Sequence, residues 1–488
     1  MPFYRLYVDG EFCDGGASAR TSENPATGAP WARFACAGRE DVLRAVAAAR
    51  RALCEGEWAA MHAGARGKLL FRLADLVAEN AEHLGKIETA DSGKLAAETV
   101  AQTRYVAEYY RYYAGCADKI EGATLPMDKP EMQVFTLREP IGIVAAVVPW
   151  NAQMFLAAAK LGPALAAGCC VVLKASEIAP CAILEFAKLI DAAGFPPGVV
   201  SVLTGDPENC AAPLTSHPDI DRIAFTGGPE TARRVVRNSA ENFAVTTLEL
   251  GGKSPVVVFA DADLEGAANG LIAGNFGASG QSCVAGSRGI VRRTVMAELI
   301  ARISDKARDI VVGDPAAAGV QMGPLCTAAQ VERIEKTLAA ARAQGAKIHF
   351  GGARSPMRGN YFPPTLVECA DMKTETMRVE MFGPVMSLAP FDTEEQAVAM
   401  ANEGEFGLGA GVFTENLARA HRVSRKIRAG ICWINTYRAI SPLAPFGGYN
   451  RSGYGREGGR EAVSDYTRTK TVWIDTSGAP MANPFVMR

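Results

Sequence analysis

Apolar positions recur at helical spacing over Asp41 to Leu53 and again over Arg66 to Leu84, where Leu69, Leu73, Leu76 and Leu84 fall near a 3.6-residue period. Both stretches predict amphipathic helices laid over a sheet. From Ile141 the pattern changes. Short β-branched runs at Ile141 to Val148, Val171 to Leu173, Val199 to Leu203, Ile223 to Phe225 and Val256 to Phe259 alternate with helical stretches. Such alternation implies βαβ units and a mostly parallel sheet, whose strands are covered on both faces and read as unbroken apolar runs. A second alternating stretch runs from about Asn269 to Phe446, with apolar runs at Gly289 to Val291, Val385 to Phe391 and Gly411 to Phe413, and predicts a second α/β domain. Two extended stretches, Gly122 to Leu137 and Thr469 to Ile474, belong to neither domain. They fit paired strands that build an oligomer contact, or equally a surface hairpin.

The 488 residues, 48% of them hydrophobic, suffice for two or three domains with separate cores. Lys and Arg number 51 against 53 Asp and Glu, a net charge of −2, so no global basic field draws in nucleic acid or an anionic membrane. The 12 cysteines, from Cys13 to Cys432, form no CxxC pair and no His stands at ligand spacing, so we expect reduced thiols, no metal site and a cytoplasmic protein. Met1-Pro2-Phe3-Tyr4-Arg5 is not a secretory signal, and the apolar run Leu161 to Leu173 contains Pro163 and two glycines and falls short of a membrane span.

Five segments carry candidate chemistry. Cys283 lies in Gly280-Gln281-Ser282-Cys283-Val284-Ala285-Gly286, where small neighbours allow close approach of a substrate and of backbone N–H groups; a buried structural cysteine would read the same way in isolation. Glu249 lies in Leu248-Glu249-Leu250-Gly251-Gly252-Lys253, and because the five histidines fall outside all these segments, a carboxylate is the candidate base. Phe225-Thr226-Gly227-Gly228-Pro229 reads as strand, glycine turn and helix N-terminus, an arrangement that takes a phosphate, although no GxGxxG fingerprint accompanies it. Lys174-Ala175-Ser176-Glu177 follows a strand and offers a ribose diol a cation and a carboxylate; a surface ion pair would satisfy the same residues. Asn151, at the end of Val147-Val148-Pro149-Trp150-Asn151, has an amide to donate to an oxyanion, or simply forms a turn.

These segments, with Glu380-Met381-Phe382-Gly383-Pro384 and Pro445-Phe446-Gly447-Gly448-Tyr449, occur in one order along a chain that resembles the NAD(P)-dependent aldehyde dehydrogenase superfamily from Val8-Asp9-Gly10 to Thr469-Lys470-Thr471-Val472. The resemblance implies an α/β fold: a Rossmann-like cofactor domain (1–119 and 140–251), a second α/β catalytic domain (252–450), and strands 120–139 and 469–482 that build a homodimer or homotetramer. It implies that Cys283 attacks the aldehyde, that Asn151 and the Cys283 amide hold the oxyanion, and that Glu249 activates the water that hydrolyses the thioester. Lys160 and Glu457 match proton-relay positions. Lys174, Ser176 and Glu177 would hold the adenosine ribose, and Glu177 favours NAD over NADP by repelling a 2′-phosphate. Val147, Val148, Pro149, Trp150, Gly205, Phe225, Thr226, Gly227, Gly228, Leu250, Gly251, Glu380 and Phe382 would complete the cofactor site.

The chain departs from the family pattern in places. Gly228 stands where Ser is frequent, and Pro207, in Thr204-Gly205-Asp206-Pro207, where a second glycine is frequent. Ala152 and Ala159 replace frequent aromatics and predict a wider tunnel. With Tyr105, Tyr109, Ser282, Val284, Ile440 and Phe446 they would form the substrate site, favouring a bulky, aromatic or cyclic aldehyde. Arg438 would read a substrate anion, or be an ordinary surface arginine. The alternatives are a CoA-acylating dehydrogenase, against which Glu249 argues, a catalytically silent binding protein on the same fold, and a cysteine hydrolase without nicotinamide.

Overall fold

The computed structural model describes residues 1–481 and 483–486; Ala482, the last residue of the second oligomerisation stretch, lies outside them. An eight-stranded sheet contains, in spatial order, Gly453–Tyr454, Val245–Glu249, Arg222–Thr226, Ile143–Val147, Cys170–Ala175, Val200–Thr204, Leu6–Val8 and Glu11–Cys13. The five strands from Val245–Glu249 to Val200–Thr204 run parallel. Ile143–Val147, Cys170–Ala175, Val200–Thr204 and Arg222–Thr226 are buried at every position, as expected of strands covered on both faces.

From Ile143–Val147 the chain builds outward through Cys170–Ala175 to Val200–Thr204, then returns to lay Arg222–Thr226 on the opposite side of Ile143–Val147. The crevice beyond the carboxyl ends of those two strands is a topological switch point, where open parallel sheets take ligands. Trp150 and Asn151 follow one strand and Gly227 and Gly228 the other.

The run at Val256 to Phe259 does not extend this sheet. After the Gly251-Gly252 turn, Pro255–Val258 opens a seven-stranded sheet ordered Lys347–Phe350, Thr365–Glu368, Val385–Phe391, Arg288–Arg292, Pro255–Val258, Gly409–Phe413, Ile431–Ile434. All its pairings are parallel except at the outermost strand, Lys347–Phe350. Loops of the two sheets touch, Asn151 donating to the Gln281 carbonyl and Gly252 N to Glu380. Glu249 closes a strand of the first, and Cys283 and Phe382 lie in loops just ahead of strands Arg288–Arg292 and Val385–Phe391 of the second.

The expected helix over Asp41 to Leu53 is Arg39–Cys54, and its free N–H ends are met by Asp41, which accepts from Gly38 N at 2.9 Å. The expected helix over Arg66 to Leu84 is two helices, Ala63–Glu79 and Ala81–Ser92. The break falls at Asn80, whose side-chain amide donates to the Leu76 carbonyl at 2.8 Å and so competes with the backbone ladder. With one residue between the helices, the leucine period carries across the break.

A third sheet pairs Thr124–Leu125, Met132–Pro140 and Thr467–Asp475, and leaves Leu125, Leu137, Trp473 and Ile474 exposed. A small sheet of Phe3–Tyr4, Ala29–Cys36 and Ala17–Asn24 was not legible, since Ala17–Asn24 (ASARTSEN) has no apolar alternation.

Candidate active site

The first sheet contributes rigidly placed polar groups. Asn151 is buried, and its Nδ2 donates at 3.0 Å to the carbonyl of Gln281, two residues before Cys283. Lys160 sits fully buried on helix Gln153–Ala167, where its Nζ donates to Thr226 Oγ1 at 2.6 Å and pairs with Glu457. Such partners offset the cost of taking a lysine so far from water.

The second sheet contributes the thiol on a strained loop. Helix Leu264–Phe276 ends in a turn where Ala278 and Ser279 take φ of 52° and 54°, each at a cost of order 1 kcal/mol. Gly280 follows at φ 73°, and a Cβ there would overlap the Gly383 carbonyl, so the loop is pinned against Gly383-Pro384. Gln281 Oε1 accepts from Cys326 N at 2.9 Å. Burial, then the nearby Glu380 and Glu249, push the Cys283 thiol up to about 12. At neutral pH it is a thiol rather than a thiolate, so attack requires a proton acceptor.

Glu249 is the candidate base. It is 2% exposed, and among the described residues neither carboxylate oxygen has a hydrogen-bond partner. Burial, then Glu457, raise its pKa well above the ordinary carboxylate range, while Lys160 and Arg456 pull the other way. A Cβ on Gly447 would come within 2.8 Å of Glu249 Oε1, so a glycine lets the chain pass the carboxylate. A buried, unpaired carboxyl with a raised pKa is a candidate for proton transfer.

The cofactor candidates gather at the switch point. Gly228 caps helix Pro229–Ser239 with no side chain, which leaves the first N–H groups of the helix free, and a Cβ on Gly228 would meet open space. Phe225 and Thr226 end the adjoining strand. Lys174 Nζ donates to Glu177 Oε2 at 2.8 Å; burial pushes Glu177 up, but Lys174 outweighs it and holds the carboxyl below its usual range. Ser176 turns back to accept from Ile178 N at 3.2 Å. A Cβ on Gly205 would lie 2.8 Å from the Ala37 carbonyl. Val147 and Val148 are buried strand-end residues, with Pro149 and Trp150 after them.

Trp150 meets Phe382 edge-on at 5.5 Å, Phe382 itself taking φ of 48°. Glu380 accepts from Gly252 N at 3.0 Å, and a Cβ on Gly251 would overlap its carboxylate. Leu250 lines a separate cavity of about 350 Å³ with Pro229 and Ala232. Gln330 and Arg333, which had no sequence signal, brace the Glu380 loop by donating to the Met381 carbonyl. Their spacing of three on helix Ala328–Ala343 puts them on one face, but nothing local says what that face meets.

The cavity at Cys283 encloses about 70 Å³. Of the candidate substrate residues, Ala152, Ser282, Val284, Ile440 and Phe446 line it, beside Asn151; Tyr105, Tyr109 and Ala159 do not. Ala159 is buried in its helix, and Tyr109 is buried behind Phe155, edge-on at 5.0 Å. Tyr105 stays at the surface and donates to the Ile440 carbonyl at 3.2 Å. Phe155, Leu156 and Trp433, which the sequence reading missed, also line the cavity. Phe155 was within reach, being three residues past Ala152 and hence on the same helical face; Trp433 arrives from a distant strand. Lys94, Gln102 and Arg438 supply the polar lining. A larger cavity of about 390 Å³ lies away from Cys283, beside Lys253 and Arg288.

Among the described residues no cluster of His, Cys, Asp or Glu is placed to hold a metal, and no helix is long and apolar enough to cross a membrane.

Two linked α/β sheets, with a cysteine and an unpaired glutamate at their seam, define the class, and the chain belongs to the aldehyde dehydrogenase family, whose sequence profile matches residues 13–472. It is an aldehyde dehydrogenase enzyme. Over their full lengths it is 53% identical to (Z)-2-((N-methylformamido)methylene)-5-hydroxybutyrolactone dehydrogenase of Acinetobacter baylyi. Aldehyde dehydrogenase of Bacillus cereus, solved as an NAD+ complex, superposes with a TM-score of 0.95 at 38% identity, over 97% of this chain and 96% of that one. Betaine aldehyde dehydrogenase of Staphylococcus aureus, also solved with NAD+, gives 0.96 at 34% identity, over 99% and 97%.

Proposed function

We propose that the chain oxidises an aldehyde to its carboxylic acid with NAD as acceptor, through a thiohemiacetal and then a thioester on Cys283. The observation that carries this reading is Glu249, a buried carboxyl with no partner, raised in pKa and set among the groups that act on Cys283. Asn151, tied to the Cys283 loop, donates to the oxyanion together with the Cys283 N–H. The thiol proton leaves to solvent as Cys283 attacks, and in the second half of the reaction Glu249 takes a proton from the water that attacks the thioester. Lys160 and Glu457 balance each other and position Thr226; through its charge Glu457 also holds up the Glu249 pKa.

The residues present suit NAD: uncapped helix N–H groups for the pyrophosphate, the Lys174–Glu177 pair for the adenosine ribose, and Glu380 with Phe382 for the nicotinamide end. When bound, the nicotinamide supplies the hydride acceptor. Glu177 disfavours a 2′-phosphate and hence NADP. The B. cereus and S. aureus relatives were solved with NAD+.

On the same reading, 1–119 and 140–251 form the cofactor domain, 252–450 the catalytic domain, and 120–139 and 469–482 the contact in a homodimer or homotetramer, where Leu125, Leu137, Trp473 and Ile474 would be covered. The protein acts in the cytoplasm, consistent with 12 free cysteines.

Identity of 53% with a hydroxybutyrolactone dehydrogenase favours the cyclic member of the substrate classes over the bulky or aromatic ones. A cavity of about 70 Å³ accepts the reacting end of such a substrate, with the remainder toward Tyr105 and Ile440. Glu249 favours water over CoA as acyl acceptor. Incubation of the protein with NAD and aldehyde should yield NADH, read at 340 nm, and carboxylic acid in equal amounts without CoA. A thioester product that requires CoA would overturn the hydrolytic reading.

A further inference from the structure

The Cys283 cavity has two cations in its lining, and they differ in commitment. Lys94 is buried and spoken for: its Nζ donates to Gln102 Oε1 at 2.6 Å and pairs with Glu88 at 3.2 Å. Arg438 is half-buried and gives one hydrogen bond, from Nη1 to the Ala273 carbonyl at 2.8 Å. Among the described residues it has no ion-pair partner, although Glu98 also lies near Gly277. Arg438 is also held in the left-handed region at φ 64°, which a non-glycine residue takes up only where its surroundings impose it. A strained, incompletely satisfied guanidinium facing the cavity of a nucleophile is equipped to take a planar anion in bidentate fashion.

We infer that Arg438 binds a carboxylate carried by the substrate, so that the enzyme acts on an aldehyde acid in preference to a neutral aldehyde. The inference rests on the dehydrogenase reading above and deepens it. Chemistry connects it to the relative's hydroxybutyrolactone. Such a ring opens when the bond between the hydroxyl-bearing carbon and the ring oxygen breaks. The hydroxyl oxygen becomes the aldehyde oxygen, the ring oxygen stays on the acyl carbon as carboxylate, and the hydroxyl proton leaves to solvent. In the closed ring the reacting carbon is tetrahedral and offers the thiol no carbonyl. The open form offers an aldehyde to Cys283 and, at the other end of a four-carbon chain, a carboxylate to Arg438.

The test compares 4-oxobutanoate with its methyl ester, by kcat/KM for NADH formation, in the wild-type protein, R438M and R438K. The wild type should prefer the acid by at least about 10-fold, and R438M should lower the acid-to-ester ratio about 100-fold, mostly through KM, as expected when a charged hydrogen-bonded pair is lost. R438K should recover part of the ratio. A wild-type ratio near one, or an R438M protein in which both substrates fall by the same factor, would overturn the inference and leave Arg438 as a brace for the Ala273 carbonyl. NADH formation from neither compound, nor from any simple aldehyde, would instead overturn the dehydrogenase reading on which it stands.

Discussion

The two edges that meet at the catalytic seam are built on opposite principles. On the first sheet, Asn151, Thr226 and Glu249 stand at or just past the carboxyl ends of buried strands, their positions set by regular hydrogen-bonded ladders. On the second, Cys283 and Phe382 stand in loops ahead of their strands, and Ala278, Ser279, Phe382 and Arg438 all take positive φ. One side is a frame and the other a strained mount. The comparison teaches that the candidate oxyanion donor and the candidate pyrophosphate groups are placed by sheet geometry, whereas the candidate nucleophile, Phe382 and the cavity-lining Arg438 are placed by contacts between remote loops.

Removing the thiol should give the largest effect. C283A should lower aldehyde turnover at least about 10⁴-fold while leaving NAD binding intact, because the frame that binds the cofactor does not pass through the sulfur. Calorimetric titration with NAD beside a 340 nm assay checks both halves, and lost NAD binding would show that the two edges are not separable in this way.

The strained side also fixes a pH dependence. With the Cys283 thiol pushed up to about 12 by burial, then by Glu380 and Glu249, its thiolate fraction in the cofactor-free protein is small at pH 7 and rises tenfold per pH unit until the pKa is approached. Inactivation by iodoacetamide should therefore accelerate about 100-fold between pH 7 and pH 9. A rate independent of pH over that range would mean that the thiolate is already formed.

The smallest effect is expected on the frame. E177Q removes the charge that would meet a 2′-phosphate, and should narrow the preference for NAD over NADP by about 10-fold in kcat/KM without changing kcat for NAD. An unchanged preference would place discrimination elsewhere than the Lys174–Glu177 pair.

The same contrast explains what was legible in the sequence. Buried parallel strands write themselves as apolar runs, so the strands that lead to Asn151 and Thr226 could be found; Val245–Glu249 (VTTLE), with two threonines and an exposed first residue, was not. Hydrophobic pattern alone missed the break at Asn80, since the leucine period continues through it. It assigned Val256 to Phe259 to the wrong sheet, because a period says that a strand exists and not what it pairs with. The substrate side was hardest. Ala152 and Ala159 suggested an open tunnel; Phe155 and Trp433 also line the cavity, and a lining residue that arrives from a distant strand, as Trp433 does, leaves no local trace. Lys160 and Glu457, almost 300 positions apart, form a buried pair that only the fold brings together.

The central claim is that Glu249 is the base that admits water to the thioester, and E249Q tests it most directly. Rapid mixing of E249Q with NAD and 4-oxobutanoate, followed at 340 nm, should show a burst approaching one NADH per active site and then a steady rate about 100-fold or more below wild type, as expected for loss of a general base. Steady-state turnover equal to wild type would contradict the account and remove Glu249 from the mechanism.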